Sequence, residues 1–386
     1  MSELRSRAVL ARLVGFATVS RDSNLALIEF VRDYLQDLGV SCELIYNAER
    51  SKANLLASIG PAVAGGVVLS GHTDVVPVDG QAWTVEPFNL TERDGRLYGR
   101  GAADMKGYLA SVLAAVPMFL DSDLRRPVHL AFSYDEEVGC LGVRSLLEVL
   151  PQRIAQPVLC LIGEPTELKP VLGHKGKLAM RCHVHGAPCH SAYAPYGVNA
   201  IEQAARLIGR LGEIGQRLAV PEHHDLRFDP AFSTVQVGVI QGGTALNIVP
   251  SDCRFDFEVR ALPAFEPQAV VDELHSYAVQ QLLPAMRAVN ADTAIRFEPI
   301  SAYPGLATAP DSAAAQLVAQ LCGSDDFSTV AFGTEGGLFD QAGIPAVVCG
   351  PGSMDQGHKP DEFVSLEQMV ACDRLMDRLA AYLSTP

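Results

Sequence analysis

Val67-Val68-Leu69-Ser70-Gly71-His72-Thr73-Asp74 is the stretch from which the fold can be read. Its apolar start reads as a buried strand that ends in a polar loop. His72 and Asp74 stand two residues apart, so on an extended chain they face the same side. An imidazole beside a carboxylate is the pattern of a metal ligand with its orienting partner. The carboxylate takes the ring's other N–H, fixes the tautomer and raises the ligand's basicity. Alone, the motif describes a satisfied histidine at a strand end just as well, so the rest of the chain has to decide. Pro77 and Asp79-Gly80-Gln81 stop the strand soon after.

Upstream, apolar residues at helical spacing predict helices over 3–18 and 24–38, the second ended by Gly39. Strands are expected at 40–46, 53–59 and 66–71. Downstream, three further stretches bring a carboxylate to the end of an element. Gly99-Arg100-Gly101-Ala102-Ala103-Asp104 precedes a helical segment from Gly107 to Leu120, which puts Asp104 near a helix N-terminus. A capping aspartate reads equally well there. The strand 128–134 runs into Asp135-Glu136-Glu137. Three crowded carboxylates repel, and their pKa values rise without a cation nearby. They form either a solvated acidic loop or a site where one binds metal and its neighbour stays free as a base. Last, Val158 to Ile162 leads to Gly163-Glu164-Pro165, with Pro165 favouring an extended Glu164. Strands ending at His72, Asp104, Glu136 and Glu164, separated by helical segments, imply an α/β sheet with its site along one edge, where open α/β sheets place ligands.

The pattern changes after this. Leu178, Met180, Cys182 and Val184 alternate with polar residues, as in a half-buried antiparallel strand. A helix over 199–218, strands over 234–241 and 252–260 and a helix near 267–283 then predict an inserted α+β domain over 176–287. It divides a catalytic domain into 1–175 and 288–386, with a strand at 294–299 expected to rejoin the first sheet. Cys182, His183, His185, Cys189 and His190 resemble a zinc cluster only superficially. On a strand Cys182 faces away from His183 and His185.

The chain has 386 residues, 48% hydrophobic and 19% charged, enough for a large core. A net charge of −15 argues against a nucleic-acid partner met through a basic surface. No apolar run approaches the ~20 residues that span a bilayer, so no membrane association is expected. Met1-Ser2-Glu3-Leu4-Arg5 lacks the basic start of a signal peptide. Nine cysteines without a C-x-x-C fit free thiols in a reducing cytoplasm.

His72, Asp104, Glu137, Glu164 and His358 supply two imidazoles and three carboxylates, a donor set suited to two zinc or similar divalent ions with one carboxylate bridging. Glu136 is then free to act as base, taking a proton from water and passing it to a leaving amine. Cys140 offers a rival nucleophile but has no assigned histidine to activate it.

Gly71-His72-Thr73-Asp74-Val75-Val76-Pro77, Gly99 to Gly107, Asp135-Glu136-Glu137-Val138-Gly139 and Gly163-Glu164-Pro165-Thr166 together resemble the M20 family of di-zinc amidohydrolases and peptidases, in order and over nearly the whole chain. The resemblance implies a zinc-peptidase-like α/β catalytic domain, its mixed, mainly parallel sheet flanked by helices, with an α+β lid and dimerisation domain inserted. It implies that His72, Asp104 and Glu164 hold one ion and Asp104, Glu137 and His358 the other, both zinc or alternatively cobalt. Glu136 would be the general base, Asp74 the partner of His72, and the Asp104–Met105 peptide cis. His190 would reach the partner subunit's site in a homodimer and stabilise the oxyanion, while Asn247 and Arg260 would bind substrate. Within the family, Gly163-Glu164-Pro165-Thr166, Gly333-Thr334-Glu335-Gly336-Gly337-Leu338-Phe339 and the loop from Gly350 to Glu362 most resemble members that remove acetate from N2-acetyl-L-ornithine, a step of arginine biosynthesis, and the resemblance implies that activity here. Glu335 would then read the substrate's ammonium. Desuccinylation of succinyl-diaminopimelate, or deacylation or peptidolysis of other N-acyl amino acids, is the alternative on the same core.

Overall fold

Val67, Val68 and Leu69 are fully buried, because their strand, Val67–His72, runs between two parallel neighbours. A strand covered on both faces has no solvent side, so its sequence is apolar without alternation. The computed structural model describes residues 4–385. Met1, Ser2 and Glu3, with the expected start of the first helix, lie outside them.

Contacts divide the chain into two units. The first comprises, among the described residues, 4–173, 306–329 and 334–385. Its mixed sheet of nine strands runs in the order Cys42–Tyr46, Ala53–Ile59, Val128–Ser133, Val67–His72, Leu159–Pro165, Ala346–Gly350, Val171–His174, Leu306–Ala307, with Ser328–Val330 pairing beside Val171–His174. The four strands from Val128–Ser133 to Ala346–Gly350 are mutually parallel. Their C-terminal ends therefore open on one edge, where His72 and Glu164 stand at strand ends and the following loops carry Glu136, Glu137 and His358. A three-stranded sheet, Phe363–Ser365, Arg96–Tyr98 and Thr91–Arg93, ties the chain after His358 to the chain before Asp104.

Helix Lys106–Asp121 begins two residues after Asp104. It is apolar nearly all round, and Tyr108, Leu109, Val112, Leu113 and Val116 are fully buried. It packs against helices Arg7–Val14 and Leu366–Ser384 and against the sheet. Each such side chain contributes roughly 1.5–3 kcal/mol, so the helix that aims Asp104 is fixed by the core.

The second unit comprises 174–305 and 330–333. It is a four-stranded antiparallel sheet in the order Thr234–Gly242, Asp252–Ala261, Gly176–His185, Ala294–Tyr303. Leu178, Met180, Cys182 and Val184 point into a core shared with helices Ala200–Leu218 and Gln268–Tyr277. Asn199 caps the first of these by accepting from Ile201 and Glu202 N–H. The buried Cys182 and the outward His183 and His185 rule out convergence on a metal, as their alternation predicts. One boundary is corrected. The insert ends at Gly305, not 287, because Ala294–Tyr303 pairs with Gly176–His185 instead of rejoining the first sheet. A short apolar strand carries no mark of which sheet it completes. Among the described residues no helix is long and apolar enough to cross a membrane.

Candidate metal centre

His72 is the last residue of its strand and is 1% exposed. Its Nδ1 donates to the main-chain carbonyl of Asp74 at 2.9 Å, while the Asp74 carboxylate is 3.6 Å away. The expected orienting partner is thus Asp74, through its backbone and not its side chain. This leaves Nε2 free to ligate. The Asp74 carboxylate serves a different purpose. It accepts from Ser20 Oγ at 2.7 Å and from the main-chain N–H groups of Glu136 (3.1 Å) and Glu137 (3.3 Å). The turn bearing both glutamates is anchored further by Asp135, which pairs with Lys52 at 2.5 Å. Asp135 and Cys140, at the ends of that turn, both have positive φ.

Asp104 sits at the centre, and its peptide bond to Met105 is cis. Oδ1 lies 3.0 Å from His72 Nε2, itself 3.7 Å from Glu164 Oε1. Oδ2 lies 3.1 Å from His358 Nε2, itself 3.0 Å from Glu137 Oε2. One carboxylate therefore faces two separate groups, each with one histidine and one glutamate. Candidate ligand atoms of His72, Glu136 and Glu164 lie within 4.8 Å of one another, as do those of His72, Asp104 and Glu137. Glu136 thus lies within reach of the same space.

The electrostatics are those of a site built for cations. Burial pushes Glu136 and Glu164 well above the usual carboxylate range, and with Asp104 nearby it lifts Glu137 to about 7. Burial acts against the charged His72, but Glu164, Asp104 and Asp74 outweigh it and hold the imidazole's pKa well above its ordinary value. Hydrogen bonds to Asp104 and Glu137 raise His358 to about 10. Asp104, despite burial, is held below its usual range by the two histidines. Glu137 Oε1 is buried without a hydrogen-bond partner. An orphaned carboxylate oxygen inside a cluster of four carboxylates fits a divalent cation, and two such cations balance the cluster's charge.

Cys140 is fully buried and donates its thiol to Glu136 Oε1 at 3.3 Å. Burial and the neighbouring glutamate hold its pKa well above the thiol range, so it is a poor nucleophile. Glu335 does not stand open to a substrate as expected. It is 1% exposed, and its oxygens accept from Ser133 Oγ (2.5 Å) and Ser70 Oγ (3.2 Å).

In the second unit, His190 and Asn247 are neighbours. His190 bridges to Ile248, and Ser191 N–H donates to Asn247 O at 2.9 Å. His190 Nδ1 accepts from Ala192 N–H at 3.1 Å, which assigns the ring proton to Nε2 and makes that nitrogen a donor. Arg260 lies on a different strand. Its Nε donates to Glu258 Oε1 (3.2 Å) and its Nη1 to Tyr303 Oη (3.0 Å).

Four positioning side chains were not anticipated: Ser20, Lys52, Arg100 and Glu362. Ser20 meets Asp74 across 54 residues of chain with no local signature. Arg100 and Glu362 had one available signal, opposite charges in two glycine-rich loops that also carry Asp104 and His358.

Residues 68–382 match the family described as peptidase family M20/M25/M40. Acetylornithine deacetylase of Myxococcus xanthus is 36% identical over 382 residues, 97% of each chain. That of Pasteurella multocida (strain Pm70) is 35% identical over 366 residues, 94% of this chain and 92% of its own. Among solved structures, the M20 family metallo-carboxypeptidase Sso-CP2 from Sulfolobus solfataricus matches with a TM-score of 0.78 at 19% identity over 100% of both chains. A dinuclear metal binding peptidase of the M20 family from Bacillus subtilis matches with a TM-score of 0.63 at 16% identity over 99% of both. With a buried carboxylate facing two histidine–glutamate groups and a family match over most of its length, the chain belongs to peptidase family M20/M25/M40 and is a hydrolase of amide bonds.

Proposed function

We propose that the chain is a two-metal deacetylase that converts N2-acetyl-L-ornithine and water to L-ornithine and acetate, a step of arginine biosynthesis. The observation that carries the metal chemistry is the placement of Asp104 Oδ1 by His72 and Oδ2 by His358. The acetylornithine deacetylases that match it at 35–36% identity over nearly its full length support the substrate. In this reading His72, Asp104 and Glu164 hold one zinc ion and Asp104, Glu137 and His358 the other, with cobalt able to replace zinc.

Two divalent ions, when bound, supply Lewis acidity toward the acetyl carbonyl and lower the pKa of a water. Glu136 takes that water's proton and later delivers it to the departing amine nitrogen. The Asp74 carboxylate holds the Glu136 main chain, so the base is positioned without itself ligating. His190 of the partner subunit donates from Nε2 to the developing oxyanion. Arg260, already oriented by Glu258 and Tyr303, meets the substrate α-carboxylate, and Asn247 is a further substrate-binding residue in this reading.

A homodimer through the inserted unit is part of this reading. Thr234–Gly242 is an edge strand, and Val239 (47% exposed), Ile240 (51%) and Ile248 (43%) lie open on or near it. Unpaired edges with apolar side chains are templates for association. The thiols are all free among the described residues, in keeping with a cytoplasmic setting.

The test is a substrate panel of N2-acetyl-L-ornithine, succinyl-diaminopimelate, other N-acyl amino acids and dipeptides, with zinc or cobalt supplied. Acetylornithine should be turned over with the highest kcat/KM. Glu136→Gln should keep metal and fold while kcat falls on the order of 10²–10⁴-fold. Preference for another acyl amine would move the substrate assignment, and near-normal turnover in the variant would remove Glu136 as base.

A further inference from the structure

Glu362 is 1% exposed and accepts four hydrogen bonds from the loop that carries Asp104. Oε1 takes the main-chain N–H groups of Ala103 (2.9 Å) and of Asp104 itself (3.0 Å). Oε2 takes Gly101 N–H (3.0 Å) and Arg100 Nη1 (2.7 Å). The main-chain carbonyl of Glu362 accepts from Gly99 N–H at 2.9 Å. A carboxylate with every lone-pair direction engaged by fixed donors is rigid, and charge-assisted bonds of this kind are the strong ones.

The contacts continue toward the other side of the site. Arg100, also 1% exposed, gives Nη2 to Gln81 Oε1 (2.6 Å) and lies over the Trp83 ring at 5.0 Å. Gln81 in turn donates Nε2 to the main-chain carbonyl of His358 at 3.0 Å. Glu362 follows His358 by four residues, and His358 itself sits at φ +61°. One buried ion pair therefore registers the Asp104 loop and the His358 loop against each other.

Building on the two-ion reading, we propose that Glu362, through Arg100 and Gln81, is a positioning residue that sets Asp104 between the two cation sites and holds His358 to the second of them. Glu362 contacts neither ion and no reacting atom in this assignment. Its effect falls on both sites together, because the carboxylate it aims is the one they share. Outer partners of metal ligands cost about 10–100-fold in affinity when removed.

The test is titration of the metal-free chain with Co²⁺, followed by calorimetry and by the visible absorption of the bound ion. The wild-type chain should take two Co²⁺ per chain. Glu362→Gln keeps size but places an amide N–H₂ against a donor. It should remain folded by circular dichroism, bind Co²⁺ at least tenfold more weakly and change the ion's spectrum. Its kcat should fall while KM stays within about twofold. A merely structural Glu362 would lower Tm and leave the folded variant with unchanged Co²⁺ affinity and spectrum, which overturns the proposal. Should Glu362→Gln not fold, Gln81→Ala decides. Gln81 is partly exposed, and its loss cuts the link from Arg100 to His358 and the bond from Trp83 Nε1 while leaving all four bonds to the Glu362 carboxylate in place. Weakening of one ion by threefold or more supports the proposal and unchanged binding of both rejects it. A wild-type chain that binds no Co²⁺ would reject the two-ion reading, and this inference with it. Two ions in the wild type with an indifferent variant would reject the inference alone.

Discussion

The carboxylate of Asp74 accepts the main-chain N–H of Glu136 at 3.1 Å and that of Glu137 at 3.3 Å. The residue next but one to His72 thereby holds the turn that offers the second group of ligands and the base. The strands bearing them, Val67–His72 and Val128–Ser133, are paired in parallel with His72 opposite Ser133. Sheet register fixes the distance, and Asp74 fixes the angle.

Asp74→Asn tests this division of labour. The amide keeps the shape but has one acceptor oxygen where the carboxylate has two. Glu136 N–H, Glu137 N–H and Ser20 Oγ cannot all be satisfied. kcat/KM should fall about 10–100-fold. Zinc content should change little, since the bond to His72 Nδ1 comes from the Asp74 carbonyl, which the substitution spares. Steady-state kinetics with metal analysis checks both halves. Loss of zinc with intact turnover per bound zinc would return Asp74 to the role of histidine partner.

Much of this site was legible because its ligands stand at the ends of apolar strands. Val67 to His72 and Val158 to Glu164 each announce a buried strand and then a polar residue, and parallel pairing brings such ends to one edge. The direction of Asp74 was not legible. Two residues' separation puts its side chain near the ring of His72, yet backbone carbonyl and carboxylate compete for the same N–H, and only the turn decides. The strand Ala294–Tyr303 misled for a similar reason, since pairing with Gly176–His185 is a long-range choice. Ser70 and Ser133 read as ordinary strand residues, and nothing near them in sequence names Glu335 as their common acceptor.

Glu335 leads to a second prediction. Its carboxylate is closed into the sheet by Ser70 and Ser133, and burial raises it to about 7. Glu335→Gln should therefore leave KM for acetylornithine within about twofold. Glu335→Ala strands two buried hydroxyls, at about 1–3 kcal/mol for an unsatisfied group. Urea unfolding reads that loss. A KM raised tenfold or more in Glu335→Gln, with stability unchanged, would restore Glu335 as the reader of the substrate's ammonium.

Acid should destabilise the chain through two histidines that are not among the candidate metal ligands. Burial lowers His129 and His174 to about 4. His129 Nδ1 pairs with Ser58 Oγ at 2.8 Å, and the Nε2 atoms of both rings are buried without a partner. The native state stays neutral while the unfolded state protonates near pH 6.5, so the unfolded state binds more protons between pH 6.5 and 4. The stability is complete above pH 6.5 and is lost as pH falls toward 4. At pH 5 each histidine costs about 2 kcal/mol. His129→Asn removes one such group, so its urea stability should drop less than that of the wild type between pH 7.5 and 5. Equal drops would show that His129 does not titrate in this way.

Zinc binding should release protons. In the ion-free chain His358 is raised to about 10, so at pH 7.5 it carries a proton that a ligand must give up, and neighbouring carboxylates bias His72 toward its protonated form as well. Burial and Asp104 bring Glu137 to about 7, and burial holds Glu164 well above the usual carboxylate range, so these two ligands add to the release. Zinc titrated into chelator-stripped chain should thus expel at least one proton per chain at pH 7.5, the one on His358, with His72, Glu137 and Glu164 adding to it. The number is the slope of observed enthalpy against buffer ionisation enthalpy across phosphate, HEPES and Tris. Because protons compete with the cation for these atoms, apparent zinc affinity should fall as pH is lowered from 8 to 6. His358→Gln deletes one proton along with one ligand, and its slope should drop by about one. A slope near zero in the wild type would mean that the histidines are already neutral before the ions arrive, and that the carboxylates around Asp104 do not hold the protons that the geometry assigns to the site.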